Sequence, residues 1–446
     1  MRTNFSSRLR WASSVAAIAA AVTAASMLSA VSASASTTAG RSIGPGTRFF
    51  VPLPPNGAPQ QVAALLKAHD LKDAALITKM ETTPSSVWFT SGTPAQVKQK
   101  VQLTMAEAAV ERAVPVLVAY DIPGRDCAQF SAGGALNLAD YEAWISGFAQ
   151  GIGNRKAVVI LEPDALGLLP SNCGLPASTF PFTDADRLAE LQYAVNALEA
   201  DPGTSVYLDA THSGWLAVPD IAKRLLAAGV QQAQGFFLNV SNYQQDPNLT
   251  DYGTWISDCI AMVTNPSNFA YGHPEFCASQ YFPATATDFS TWGLTTQWYA
   301  DNMGSSVATT HFVIDTSRNG DGPNNMSAYA AAPYNQPASV IGTLVSGSWC
   351  NPPASGLGLR PTANTGVPLL DAYLWVKTPG ESDGQCDAAG GVRAWDYTAY
   401  TQPGWPTDAA SQAQFDPLWG IVDPIAGAWF PQEALQLAQD ANPSLG

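Results

Sequence analysis

Residues 158–164 read Val158-Val159-Ile160-Leu161-Glu162-Pro163-Asp164, an apolar run that passes directly into two carboxylates separated by a proline. An unalternating apolar run is what a parallel strand covered on both faces requires, and α/β enzymes keep their chemistry at the C-terminal ends of such strands. The stretch therefore predicts an α/β fold with a polar site where this strand stops.

The flanking sequence extends that pattern. Thr93-Pro94 supplies an N-cap and an N1 proline for a helix over 95–112, and 114–120 reads as a strand. A helix over 184–200 places Leu188, Leu191, Val195 and Leu198 on one face and leads into a strand over 206–210. Another helix over 219–228, stopped by Gly229, precedes a strand over 235–240. Strands over 310–315 and 371–377 continue the series. No Pro/Gly/Ser linker interrupts this alternation, which argues for one barrel-like domain where length alone suggests two or three.

Composition narrows the class. Arg2, Arg8 and Arg10 precede an Ala/Val/Leu-rich stretch over 15–31 and then Ala33-Ser34-Ala35, which reads as a signal peptide over 1–35 with a short leader over 36–48. Its removal moves the net charge from −15 to −18, because all three lost charges are Arg. So acidic a chain disfavours nucleic acid and anionic lipid as partners, and no further apolar run is long enough to span a bilayer. A secreted, extracellular protein is expected. Six cysteines in an exported chain suggest three disulfides, and chain order suggests Cys127 with Cys173, Cys259 with Cys277, and Cys350 with Cys386, among about 15 connectivities. Metal ligation is disfavoured, since no Cys-x-x-Cys occurs and His69, His212, His273 and His311 stand singly. No metal and no cofactor is expected.

Polar residues gather at the predicted strand ends: Tyr120, Asp121 and Asp126, then Glu162 and Asp164, Asp209, Asn239 and Asn242, Asp315, and Lys377. One Asp at a strand end is commonly a cap or turn former. Several on successive strands converge on one barrel face. Glu162 falls two residues before Asp164 with Pro163 between them, and a supporting role suits it better than a catalytic one. Among 13 Trp and 14 Tyr, Trp88, Trp215 and Trp349 lie beside these polar residues. A single buried Trp is more often core, but flat rings clustered with carboxylates and amides suit a carbohydrate groove. The Gly-x-Ser-x-Gly pattern at 40–44 has no strand before it and reads as chance, and no phosphate-binding loop or His-Glu-x-x-His motif is present.

The segments Val118-Ala119-Tyr120-Asp121-Ile122-Pro123-Gly124-Arg125-Asp126-Cys127 and 158–167 resemble the two signature segments of glycoside hydrolase family 6, the cellulase family of β-1,4-endoglucanases and cellobiohydrolases. Stretches 209–215, 239–243, 348–351 and 375–384 resemble further family motifs in the same order, so the resemblance runs from about residue 49 to the C-terminus. It implies a single distorted, TIM-like parallel β/α barrel of seven or eight strands over 49–446, with its cleft at the C-terminal strand ends. The implied reaction is inverting hydrolysis of a β-1,4-glucan polysaccharide by a monomer. By the same resemblance Asp164 is the general acid, Asp126 raises its pKa or relays a proton, Asp383 is the candidate base or charge stabiliser, and Tyr120 lies against the distorted sugar. An inverting site leaves about 6.5–9.5 Å between acid and base. Trp88, Ser131, Asp209, His212, Trp215, Asn239, Asn242, Trp349, Lys377 and Glu381 match substrate-contacting positions. Thr211 stands where the family commonly has glycine, and Thr90 where it often has a carboxylate.

Two questions stay open at this level. Residues 388–420 hold Trp395, Tyr397, Tyr400, Trp405 and Trp419, and form either a surface loop packing its own aromatics or a lid with added sugar subsites. The short disulfide-closed segments predict an open cleft and endo cleavage; the alternative is a cellobiohydrolase acting from chain ends, and the more distant one a non-catalytic glycan-binding protein.

Overall fold

The computed structural model describes residues 43–388 and 390–445. The signal-peptide reading and residues 36–42 of the leader lie outside them. Seven strands, β1 (Val87–Phe89), β2 (Val116–Ala119), β3 (Ala157–Leu161), β4 (Thr204–Asp209), β5 (Gly235–Leu238), β6 (His311–Asp315) and β7 (Leu370–Leu374), pair in parallel and in chain order. No ladder joins β7 to β1 among the described residues. Ser86 N–H, just before β1, donates to Trp375 O, just after β7, at 2.9 Å. The sheet is thus a curled, incompletely closed barrel, and it has seven strands.

Side-chain alternation explains the unbroken apolar runs. Val118, Val158, Ile160, Tyr207, Phe237, Val313 and Leu374 form the interior cluster, whereas Leu117, Val159, Leu161, Leu208, Phe236 and Ile314 join the cluster under the helices. Most strand residues are buried on both faces, so the strand centres are apolar and Thr204, Ser205, Asp209, His311, Asp315 and Asp371 fall at or next to strand ends. The helices are α1 (Ala58–Lys67), α2 (Leu71–Glu81), α3 (Pro94–Glu111), α4 (Leu138–Ile152), α5 (Asp184–Glu199), α6 (Val218–Ala227), α7 (Asp246–Thr264), α8 (Trp292–Asn302), α9 (Ala338–Ser346), the single turn α10 (Ala409–Gln412) and α11 (Pro431–Gln439). Thr93 and Gln96 close a reciprocal capping box on α3, with Pro94 at its first position. Helix α5 buries Leu191, Val195 and Leu198, the face its periodicity predicts. Helix α11 returns to pack with α1 and α2.

Two expectations shift. Asp209 and Asp315 close β4 and β6, whereas the other quoted polar residues lie beyond their strands, where the chain turns sharply: Glu162, Asp164, Thr211, Asn239 and Ser241 have φ between 52° and 69°. Trp88 lies within β1, not beyond a strand end. All six cysteines pair as chain order suggests, Cys127–Cys173, Cys259–Cys277 and Cys350–Cys386. No helix of the described residues is long and apolar enough to cross a membrane.

The β5–β6 register depends on Gly235, which pairs with His311. A Cβ at Gly235 would meet the His311 carbonyl oxygen at 1.8 Å. Gly235→Ala is expected to destabilise by at least about 1–3 kcal/mol, read as a lower thermal midpoint; an unchanged midpoint would show that the two strands can separate without cost.

Candidate active site

The loops leaving β2 to β7 are held by buried carboxylates. Glu162, fully buried, accepts from the Asp121 N–H through both oxygens at 3.0 Å and from the Ile122 N–H at 3.1 Å. Burial pushes its carboxyl up to about 8, against the pull of those N–H groups. Asp209 accepts from Leu166 N–H (3.1 Å), Gly167 N–H (2.9 Å) and Thr211 N–H (2.9 Å). Asp315 accepts from Ser241, Ser317, Val376 and Lys377 N–H at 2.9–3.1 Å. These three residues sit under the loops and shape them.

Asp164 stands on the loop that Asp209 holds, with φ at 67° and a half-buried side chain. Burial pushes its carboxyl well above the usual carboxylate range, and the charges of Asp209, Asp126 and Asp383 push it further. Burial and all three charges act in one direction, towards the protonated form of Asp164. Asp126 follows β2 on a loop tied by the Cys127–Cys173 disulfide. Its Oδ2 accepts from Ser131 N–H at 2.7 Å. Burial again raises its pKa, the Ser131 N–H and Arg125 oppose that rise, and Asp383 adds to it. The Arg125 guanidinium lies 4.7 Å from the Tyr120 ring centre, and Trp88 meets that ring edge-on at 5.5 Å.

Asp383 is the opposite case. It is buried, its Oδ2 accepts from Arg318 Nη1 (2.8 Å) and Asn351 N–H (3.0 Å), and its Oδ1 pairs with Lys377 Nζ (3.0 Å). Burial pushes its carboxyl up, but Arg318, Lys377 and the Asn351 N–H outweigh burial and hold it below the ordinary value. One rim thus carries a carboxyl biased towards its protonated form and a carboxylate biased towards its ionised form. That separation of pKa values is the arrangement acid-assisted bond cleavage requires.

The remaining candidates divide. His212 accepts Gly214 N–H at Nδ1 (3.2 Å), which leaves its proton on Nε2, and burial lowers its pKa to about 4. The Trp215 ring lies 5.8 Å from it, and Gly167 leaves the space Trp215 fills, since a Cβ there would lie 2.6 Å from the indole. Asn242, Trp349 and Ser131 are half-buried at the rim. Trp88 and Glu381 line a cavity of about 220 Å³ together with Glu81 and Ser86. Asp209 and Asn239 differ from expectation. Asp209 is 2% exposed with both oxygens engaged by backbone N–H groups, and Asn239 is fully enclosed, donating to Asp315 O and accepting from Gln244 N–H. Neither presents a group to a ligand; both position loops. Thr211, the departure from glycine, has φ at 58°, a conformation costly for a β-branched residue.

The family model for glycosyl hydrolases family 6 matches residues 45–441. The chain belongs to glycosyl hydrolase family 6. Among family 6 relatives it is 31% identical to endoglucanase A of Thermobispora bispora over 80% of this chain, and 34% identical to endoglucanase A of Cellulomonas fimi over 72%. It spans 62% and 54% of the lengths of those two proteins. An endoglucanase from Mycobacterium tuberculosis, solved in complex with a methyl-cellobiosyl-4-deoxy-4-thio-β-D-cellobioside, superposes with a TM-score of 0.58 at 31% identity, covering 89% of this chain and 97% of that one.

The sequence reading of this family 6 chain missed Arg318, Asn351 and Glu433. Arg318 is fully buried, donates to Asp383 and to Glu433 Oε1 (3.2 Å), and lies over Tyr243. Its signal was its place just past β6, in the polar run Asp315-Thr316-Ser317-Arg318-Asn319. Asp387, Asp416 and Asp423 bring oxygens within 4.8 Å of one another, as a cation site would. The Arg393 guanidinium, 2.6, 2.5 and 3.7 Å from them, already supplies the countercharge.

Arg318→Met strips the buried partner from Asp383 and Glu433, and is expected to cost about 3–5 kcal/mol at neutral pH. Without the guanidinium the folded-state pKa values of both carboxyls rise above their unfolded values, so stability falls as pH rises through them. The midpoint deficit relative to the parent chain should therefore be larger at pH 8 than at pH 5; an equal deficit would place the charge compensation elsewhere.

Proposed function

We propose that this chain is a secreted endo-β-1,4-glucanase that cleaves internal bonds of cellulose or a related β-glucan with inversion, acting as a monomer through one catalytic barrel over 49–446 behind a signal peptide over 1–35. The observation that carries the reading is that one rim surrounds Asp164 with carboxyls that raise its pKa and sets Asp383 against Arg318 and Lys377, which lower its own. Binding alone needs no acid whose pKa is raised by its surroundings.

In this reading the glucan lies across the strand ends, its apolar sugar faces against Trp88, Trp215 and Trp349, with His212, Asn242, Lys377 and Glu381 meeting hydroxyls. Tyr120 sits against the distorted sugar. Asp164 gives its proton to the glycosidic oxygen as the C–O bond breaks, and the leaving chain departs as an alcohol. A water adds to the anomeric carbon from the opposite face and loses one proton. Asp383 supplies fixed negative charge to the developing oxocarbenium ion. Both of its oxygens are occupied by cations and an N–H, which makes it a weak base and favours Asp126, with its raised pKa, as the final acceptor of that proton. Asp126, protonated, and Asp164, ionised, then exchange the proton to reset the site.

A second reading, cleavage from chain ends, has one observation in its favour. Phe130 reaches across from the β2 loop, with its ring 6.1 Å from Trp349 and against Gly384, where a Cβ would lie 2.8 Å from the Phe130 side chain. Contact between opposite walls narrows a cleft that the short disulfide segments otherwise leave open.

Asp164→Asn keeps the shape and removes the proton, and should lower kcat on a soluble β-glucan by about 10²–10⁴-fold with retained binding. Unchanged sugar release would end the acid assignment. On carboxymethyl cellulose, viscosity should fall steeply per reducing end formed, whereas a slow fall would favour chain-end action. The first product from cello-oligosaccharides should be the α-anomer.

A further inference from the structure

The segment after Cys386, whose aromatics suggested a lid, is turned inward at both ends. Trp395, Tyr397, Tyr400, Trp405 and Phe415 meet one another and Tyr334 through edge-on or tilted ring contacts 5.0–6.3 Å apart. Beyond them Trp419 Nε1 donates to Asn351 O at 2.7 Å. Asn351 is fully buried with φ at 39°, in the left-handed region that asparagine tolerates. It grips Asp383 in both directions: its N–H donates to Asp383 Oδ2 (3.0 Å), and its Oδ1 accepts from Asp383 N–H (2.7 Å). Its Nδ2 points to Ser382 Oγ (3.1 Å), Gly384 O (2.9 Å) and Asp423 Oδ2 (3.2 Å). Cys350, next to it, is bonded to Cys386 and accepts Arg393 Nη1 at its carbonyl (2.9 Å).

We propose that Asn351, oriented by Asp423 and Trp419 from the segment after Cys386, is a positioning residue that holds the Asp383 carboxylate in its working geometry. This rests on the reading that Asp383 serves the reaction. Asn351 itself touches no substrate; it acts by presenting one N–H to the carboxylate and by anchoring the backbone from which Asp383 projects. Asp423 is the outer brace. Burial, and then Asp416 beside it, push its carboxyl up to about 9, so it carries a proton at neutral pH while its Oδ2 accepts from Asn351. The groups facing Asp383 are Arg318, Lys377, Glu433, Tyr243, Asp126 and Asp164. The first two hold it ionised and the rest oppose that, so a carboxylate that drifts from Arg318 and Asn351 regains protons.

The test compares Asn351→Gly, Asp423→Ala, Asp423→Asn and Asp383→Ala in the full chain, with thermal midpoints recorded for each. Glycine keeps the backbone N–H and the positive φ while removing the side chain. Asn351→Gly is expected to lower kcat by about 10- to 100-fold with KM within about twofold, and to move the acid limb of the kcat profile to higher pH. A merely structural loss lowers the midpoint and scales the profile without moving its limb. Asp423→Ala should move the same readouts less, and Asp423→Asn should restore them, since its carbonyl accepts from Asn351 and its amide donates towards Asp416. A folded Asn351→Gly with unchanged kcat and unchanged limb, beside an inactive Asp383→Ala, overturns the positioning role alone. An active Asp383→Ala overturns the role of Asp383 and this inference with it. Should Asn351→Gly fail to fold, the Asp423 pair decides by the same measurements, and equal kcat and equal limbs in Ala and Asn overturn the proposal.

Discussion

The rim of this barrel is held by carboxylates that accept backbone N–H groups from the neighbouring loop. Glu162 holds the chain leaving β2, Asp209 the chain leaving β3, and Asp315 the chains leaving β5, β6 and β7. A typical hydrogen bond contributes about 0.5–1.5 kcal/mol, and a buried N–H left unpaired costs about 1–3 kcal/mol. These contacts offset the left-handed backbone at Glu162, Asp164, Thr211, Asn239 and Ser241, where the chain leaves the strand direction within one or two residues. Sharp exits of this kind let side chains from adjacent strands converge on one small volume.

The same rim then separates two chemically identical groups. Asp164 is set among Asp209, Asp126 and Asp383, so burial and like charge raise its pKa. Asp383 is set against Arg318 and Lys377, so the cations overcome burial and keep it ionised. The difference comes from neighbours alone: Asp209 is both the loop holder and a source of the repulsion on Asp164, which couples the shape of the β3 loop to the acidity of the residue it carries. The segment after Cys386 extends this design behind Asp383, where Arg393 and three carboxyls fill the space beneath the disulfide.

What could be read in the sequence followed from periodicity and spacing. Strand β3 was legible because burial on both faces leaves no polar residue in it, and α3 because Thr93 and Pro94 are helix-start residues for local reasons. Strand β1 was not, since three residues carry no period. The motifs resembling family 6 pointed to Asp126, Asp164, Asp383 and Lys377 as site candidates. Asp209 and Asn239 were placed among substrate contacts because a polar residue at a strand end looks the same in sequence whether it faces the cleft or a backbone N–H. Arg318 and Asn351 were passed over because their partners lie 65 and 32 residues away. The aromatics at 395–405 left a self-packing loop and added subsites both open, because residue type says nothing about whether a ring faces sugar or another ring.

The sequence by itself determined the alternation of strands and helices and foreshadowed, through its motifs, the membership in family 6; chain order suggested the cysteine pairing without deciding it. These depend on local periodicity, helix and turn chemistry, and residues at set spacings along one chain. Only the tertiary structure decided which carboxyls hold loops through backbone N–H groups, which pKa values are raised and which lowered, and that the late aromatic segment packs on itself with Trp419 donating to Asn351. The physical reason is that burial and charge–charge interaction act through space, and the groups that set them are brought together by the closing of the sheet.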